Sequence, residues 1–237
     1  MAYSDELDPY RGLRGVRYGL DREQTALVIV DMQNCFLHRE GTFGKLGVDM
    51  SLLQEAIPGC VTLAAGARSS GIPVIHVHTT WRPDYLDAGL IWNELKRPMR
   101  DAGALVAGSW DACIVDDLAP EPDDFVVVKH RYSAFHGTDL EVLLSSLWIR
   151  SVVICGVTTN ICIESTARDA AQRNYRTYVV RDATAEVDPA KHEHALSTLE
   201  YAFCRVVASD DVLSAWSANT PSARSILERT AQAGSRP

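Results

Sequence analysis

The sequence predicts a three-layer α/β/α protein built on a six-stranded, mostly parallel sheet. Three observations carry that prediction. Short apolar runs alternate with longer amphipathic stretches along most of the chain. The runs are apolar at successive positions, as strands covered on both faces are. Strand, helix and strand in alternation demand a parallel sheet with right-handed crossovers.

Taken in order, "ALVIVD" (26–31) is the first strand, followed by a loop that passes through Gly41, Gly44 and Gly47. "SLLQEAIPGCVTLAAGARSSG" (51–71) is a helix, interrupted or started afresh near Pro58, and "IPVIHVHTT" (72–80) is the second strand. From Trp81 to about residue 123 the pattern is irregular, with Pro83, Pro98, Gly103, Gly108, Pro120 and Pro122. This is a long excursion with short helices, of the kind that carries function or a contact surface. Alternation then resumes: "FVVVKH" strand, "DLEVLLSSLWI" helix, "SVVICGV" strand, "NICIESTARDAAQRN" helix, "RTYVVRD" strand, "PAKHEHALSTLEYAF" helix and "CRVVAS" strand. The tail from residue 210 is expected to be partly helical and to fray. The whole chain, 1–237, is expected to form one domain, with a core over about 24–210, an N-terminal arm 1–23 and a C-terminal tail 211–237.

Composition narrows the function. A formal net charge of -8 without a Lys/Arg cluster argues against nucleic acid and against an anionic membrane as partner. No segment approaches the roughly 18 apolar residues of a membrane span, and the acidic N-terminus has no signal-peptide core. A cytoplasmic protein is expected, working as a homo-oligomer (dimer or tetramer) on a small molecule. Six cysteines (Cys35, Cys60, Cys113, Cys155, Cys162, Cys204) include no C-x-x-C pair and no dense spacing, so they are expected to be free thiols.

In a doubly wound sheet, ligands bind outside the carboxyl ends of the strands near the point where strand order reverses. Three polar residues follow apolar runs there: Asp31, Lys129 and, after a short turn, Cys162. A thiol with a pKa near 8.5 is mostly protonated at neutral pH, and a neighbouring cation with a helix N-terminus favours its thiolate. Asp31 would accept the thiol proton while Lys129 holds both groups. Singly, each has a plainer explanation. Cysteines of apolar α/β chains are more often packed than reactive, and Cys35, Cys60, Cys113, Cys155 and Cys204 are assigned to packing. An Asp or Lys at a strand end is commonly a solvated terminus or a cap.

"ALVIVDMQNCF", "VVVKHRYSAFHGTDLEVLL" and "VVICGVTTNICIESTARDA" resemble the three signature segments of the isochorismatase-like cysteine hydrolases, with the likeness spanning about residues 24–210. Within them the chain is most similar to the ureidoacrylate amidohydrolases, through "GSWDACIVDDLAPEPDDFVVVKHRYSAF", "TTNICIESTARDA" and "WNELKRPMR". The resemblance implies the isochorismatase-like (Rossmann-like) fold and a triad of Asp31, Lys129 and Cys162. It also implies a non-proline cis peptide between Val157 and Thr158, with the amides of Thr158 and Cys162 forming an oxyanion hole. Such a peptide is costly and survives only where its surroundings enforce it.

Two departures sharpen the expectation. Isochorismatases proper carry another residue in place of the nucleophile, so Cys162 favours amide or ureido substrates. Nicotinamidases bind a metal through an Asp and several His; "TTWRPDYLDAG" lacks those histidines, so neither metal nor cofactor is expected. His76 and His78 share one strand face, as metal ligands would, but no third ligand is spaced to join them, and packing is preferred. A Cys162 dyad with His130 or His136 stays open on sequence. Trp81, Asn93 and Tyr132 match the ureidoacrylate-type pattern and are candidate substrate-binding residues, with Trp92 behind them. Arg82 and Arg131 are candidates for a substrate carboxylate, against the commoner solvated Arg. Biuret, triuret or N-carbamoyl amino acid hydrolysis would use the same triad. A non-catalytic redox-sensing thiol would need a resolving partner, and Cys155 inside its apolar strand is the only sequence neighbour.

Overall fold

A computed structural model describes residues 20–217. Its sheet has six strands, β1 (Thr25–Val30), β2 (Val74–Thr79), β3 (Phe125–Lys129), β4 (Ser151–Val157), β5 (Arg176–Ala185) and β6 (Arg205–Val207), in the order β3-β2-β1-β4-β5-β6. Every neighbouring pair is parallel. The predicted six-stranded sheet is therefore all-parallel, and strand order reverses between β1 and β4.

β1 and β4 are buried at every position, as centre strands covered on both faces must be. One core contains Leu27, Ile29, Val153, Cys155, Tyr178 and Val180 with Cys60 and Leu63 of the Ala56–Ser69 helix and Trp216 of the Ser209–Ser217 helix. The opposite core contains Val28, Val30, Ile75, Val77, Ile154 and Val179 with residues of the Leu140–Ser146, Glu164–Gln172 and Pro189–Ala202 helices. Side chains alternate between faces along a strand, so residue parity decides which core each one joins.

The helix expected over 51–71 is two helices, Ser51–Gln54 and Ala56–Ser69. Pro58 falls in the first turn of the second, where its missing N–H would have had no helical partner. The excursion after β2 folds as short helical pieces around a small core of Trp81, Tyr85, Ala88, Trp92, Met99 and Leu105. The buried Asp111 carboxylate ties it down by accepting hydrogen bonds from the Thr42 and Leu105 amides (2.8 and 2.9 Å). The expected arm and the fraying end of the tail lie outside the described residues. No helix among the described residues is long and apolar enough to cross a membrane.

Candidate active site

Asp31 follows β1 directly, Lys129 ends β3, and Cys162 lies in the π-helical turn Thr159–Ile163 that follows β4 and leads into the Glu164–Gln172 helix. The three meet at the carboxyl edge of the sheet beside the β1/β4 reversal. Two local backbone features bring them together. Asp31 has φ +54°, a left-handed conformation that costs a non-glycine residue roughly 1–2 kcal/mol. By strand alternation Asp31 should face the side of Leu27 and Ile29; the turn delivers its carboxylate to the side of Thr79 and Lys129. Gly156 has φ +115°, and a Cβ there would stand 2.1 Å from the Val30 carbonyl oxygen, so only glycine lets β4 pass β1. The register of β4 against β5 shifts at the same place, and the Val157–Thr158 peptide that follows is cis.

Asp31 and Lys129 are each 1% exposed and form an ion pair, with Nζ 2.8 Å from Oδ2. Nζ also donates to Thr79 Oγ1 (2.7 Å), to the Arg131 carbonyl (3.2 Å) and to Cys162 Sγ (3.5 Å). The Thr79 hydroxyl donates to Asp31 Oδ1 at 3.0 Å. Burial alone would lower the Lys129 pKa, but the Asp31 carboxylate and the Cys162 sulfur outweigh it and hold the ammonium above its ordinary value.

The half-buried Cys162 thiol is moved the other way. Desolvation first, and the Asp31 carboxylate second, push its pKa well above the usual thiol value; Lys129 opposes them without prevailing. Lys129 thus acts in the expected direction, favouring the thiolate, but burial and Asp31 act against it more strongly. Asp31 and Lys129 are the charged groups that act on the sulfur, in opposite directions.

The remaining candidates are spread over three places. Tyr132 is half-buried; burial raises its phenol pKa, and Cys162 raises it further. Trp81 is buried among aromatic rings, with centroids 5.0 Å from Trp92 and 5.7 Å from His130. Asn93 is half-buried and reaches the Tyr85 carbonyl at 3.5 Å. Arg82 is exposed and paired with Asp84 at 2.8 Å, while Arg131 donates to the Asp87 (3.0 Å) and His130 carbonyls. Both guanidiniums hold loops.

His76 pairs with Asp124 at 3.2 Å and His78 lies 3.5 Å from the Ala112 carbonyl, each engaged in packing. His130 places Nδ1 2.7 Å from the Thr80 carbonyl and His136 is exposed, whereas Lys129 lies 3.5 Å from Cys162 Sγ. All six cysteines are free. Cys35, Cys60 and Cys155 are buried as assigned, whereas Cys113 is exposed and Cys204 intermediate. The assignment of Cys113 to packing is corrected: it closes the surface turn Trp110–Ala112, its thiol on the Ser109 carbonyl at 3.4 Å.

Sequence reasoning passed over Thr79 and Gln33. Gln33 is fully buried: its side-chain oxygen accepts from the Thr79 amide at 2.9 Å, and its side-chain nitrogen donates to the Thr79 and Ala112 carbonyls at 2.8 Å each. The signal for Thr79 was its place at the end of β2, which matters only once β2 is known to lie between β1 and β3.

Residues 25–211 match the Isochorismatase domain family model. The chain belongs to the isochorismatase family. Among its relatives, the ureidoacrylate amidohydrolase RutB of Methylorubrum extorquens is 39% identical over 195 residues, 77% of this chain and 79% of that protein. RutB of Pseudomonas syringae pv. syringae is 37% identical over 206 residues, 82% of this chain and 84% of that protein. The crystal structure of a cysteine hydrolase from Pseudomonas syringae pv. phaseolicola superposes with a TM-score of 0.76 at 27% identity, covering 84% of this chain and 95% of that one. That of N-carbamoylsarcosine amidase from Thermoplasma acidophilum gives 0.64 at 31% identity, covering 79% and 97%.

Proposed function

We propose that the protein is a cysteine-dependent amidohydrolase that cleaves a C–N bond of a small ureido or carbamoyl compound through a covalent acyl-enzyme, with ureidoacrylate the leading substrate. The observation that carries the proposal is the Lys129 ammonium, 2.8 Å from Asp31 Oδ2 and 3.5 Å from Cys162 Sγ. A base, a cation and a protonated thiol in contact are the parts of nucleophilic catalysis.

In the proposed cycle Asp31 takes the Cys162 proton as the sulfur attacks the carbonyl carbon. The tetrahedral oxyanion is held by the Thr158 and Cys162 amides. Asp31 returns its proton to the departing nitrogen as the C–N bond breaks, which leaves a thioester-type acyl-enzyme. Asp31 then accepts a proton from a water molecule that attacks the thioester, and Cys162 leaves with that proton. The resting thiol suits this cycle, because proton removal is then coupled to attack. Tyr132, beside Cys162, and Trp81 and Asn93, in the excursion over the same edge, are the proposed substrate-binding residues.

The RutB relatives support the ureido substrate. A second reading, N-carbamoyl amino acid hydrolysis, is favoured by the likeness to N-carbamoylsarcosine amidase. A redox-sensing thiol with Cys155 as resolving partner is disfavoured by placement: Cys155 faces one core beside Cys60, and Cys162 packs against the other. The test is ammonia release by the purified protein from ureidoacrylate, biuret, triuret, N-carbamoyl amino acids, nicotinamide and maleamate. Ureidoacrylate is expected to be turned over with the highest kcat/KM. Turnover of nicotinamide or maleamate alone would reject the ureido assignment.

A further inference from the structure

We infer that Thr79 is a positioning residue whose hydroxyl fixes which oxygen of Asp31 is left to take the Cys162 proton; the inference rests on the nucleophile proposed above.

Sheet order puts Thr79 there. Lys129 ends β3 and Asp31 follows β1, so β2 runs between them, and Thr79, its last residue, is the register partner of Lys129. Thr79 shares its face with Ile75 and Val77, the face from which Lys129 reaches across. Any contact between the ends of β3 and β1 therefore passes over the Thr79 side chain.

The direction of each hydrogen bond follows from counting protons. An ammonium has three donors and no acceptor, and a hydroxyl has one donor. Thr79 Oγ1, 2.7 Å from Lys129 Nζ, must accept there. Its single hydrogen is then free for Asp31 Oδ1 at 3.0 Å. The three hydrogens of Lys129 are matched by three acceptors: Thr79 Oγ1, the Arg131 carbonyl and Cys162 Sγ. Asp31 Oδ2 is the ion-pair partner of Nζ at 2.8 Å and is buried, and among the described residues no side chain holds it at good hydrogen-bond angle as Thr79 holds Oδ1. The bond to Oδ1 thus fixes the carboxylate and lowers the basicity of that oxygen, which leaves Oδ2 as the better acceptor for the thiol proton. Gln33 holds the arrangement by clamping the Thr79 backbone on both its N–H and its carbonyl.

Replacing Thr79 by valine keeps the shape and removes both bonds. A Lys129 hydrogen then loses its acceptor and turns more fully to Oδ2, lowering the basicity of that oxygen, while Oδ1 loses the donor that held the carboxylate in place. Loss of a hydrogen bond to a charged group corresponds to about a 10- to 100-fold rate effect. Thr79→Val is expected to lower kcat by that factor, to leave KM within about twofold, and to slow iodoacetamide labelling of Cys162 at pH 7 about tenfold. Thr79→Ser, which keeps the hydroxyl, is expected to restore kcat and labelling to within about threefold of wild type. Should the valine variant not fold, Thr79→Ala set against Thr79→Ser carries the same contrast. Wild-type kcat and labelling in Thr79→Val, or a serine variant as impaired as the hydroxyl-free one, would overturn the inference. A lowered melting temperature with kcat and the labelling profile unchanged would also do so. The nucleophile proposal fails separately: activity in Cys162→Ala rejects it whatever Thr79 does.

Discussion

Replacing Lys129 with methionine removes the group that contacts Asp31, Thr79 and Cys162 together, and its consequences can be worked from the distances. Were Lys129 a solvated strand end, an unbranched apolar chain of similar length would change stability by no more than about 0.5 kcal/mol. It is instead buried against an equally buried Asp31 at 2.8 Å. Leaving a buried charge without its partner costs about 3–5 kcal/mol. The variant should therefore be clearly less stable in urea unfolding, and Asp31→Asn in the same chain should recover a large part of the loss. The chemical effect is separate. A unit charge about 4 Å from the developing thiolate contributes about 4 kcal/mol at an effective dielectric constant near 20, or nearly a thousandfold. Lys129 Nζ lies 3.5 Å from Cys162 Sγ, so its removal should push the thiol pKa further up and cost turnover at least about a hundredfold. The assay is the pH dependence of Cys162 alkylation by iodoacetamide, resolved by peptide mapping, with exposed Cys113 as the internal reference. An unchanged alkylation profile together with near wild-type turnover would refute the placement of Lys129 in the mechanism.

Other predictions rest on separate features. Gly156→Ala should destabilise the protein by ~3 kcal/mol or more and abolish activity, because its Cβ would meet the Val30 carbonyl and its φ of +115° is strained for alanine; wild-type melting would contradict this. His76, His78 and His192 all have folded pKa values lowered below 6.5, by burial first in each case. The unfolded chain then binds more protons just below that value, so stability present above pH 6.5 should be lost as pH falls toward the folded pKa values. Urea midpoints measured across that range should fall, and His76→Gln should flatten the curve by removing one contributor beside Asp124, Arg68 and His78. Activity should survive dialysis against a strong chelator, since His76 and His78 are committed to Asp124 and the Ala112 carbonyl; restoration of a lost activity by zinc, iron or manganese would contradict this.

Much of the fold was legible because parallel strands buried on both faces leave continuous apolar runs: "SVVICGV" coincides with β4 residue for residue. β5 was read short, since Arg181 and Asp182 are exposed and break the apolar run while the strand continues to Ala185. Asp31, Lys129 and Cys162 were legible because each stands just beyond an apolar run. The upward push on the Cys162 pKa was not, because desolvation depends on what packs around the sulfur. Thr79 was hidden for a topological reason: a threonine ending "VIHVHT" looks like any other strand end until the sheet order sets it between Lys129 and Asp31.

The proposed cycle passes through a covalent bond to Cys162, and the most direct measurement is intact and peptide-level mass spectrometry of enzyme quenched during turnover of ureidoacrylate. An acyl adduct is expected on the peptide carrying Cys162, absent from the peptides of the other five cysteines and absent in a folded, inactive Cys162→Ala variant. Turnover with every cysteine unmodified, together with an active Cys162→Ala enzyme, would contradict it.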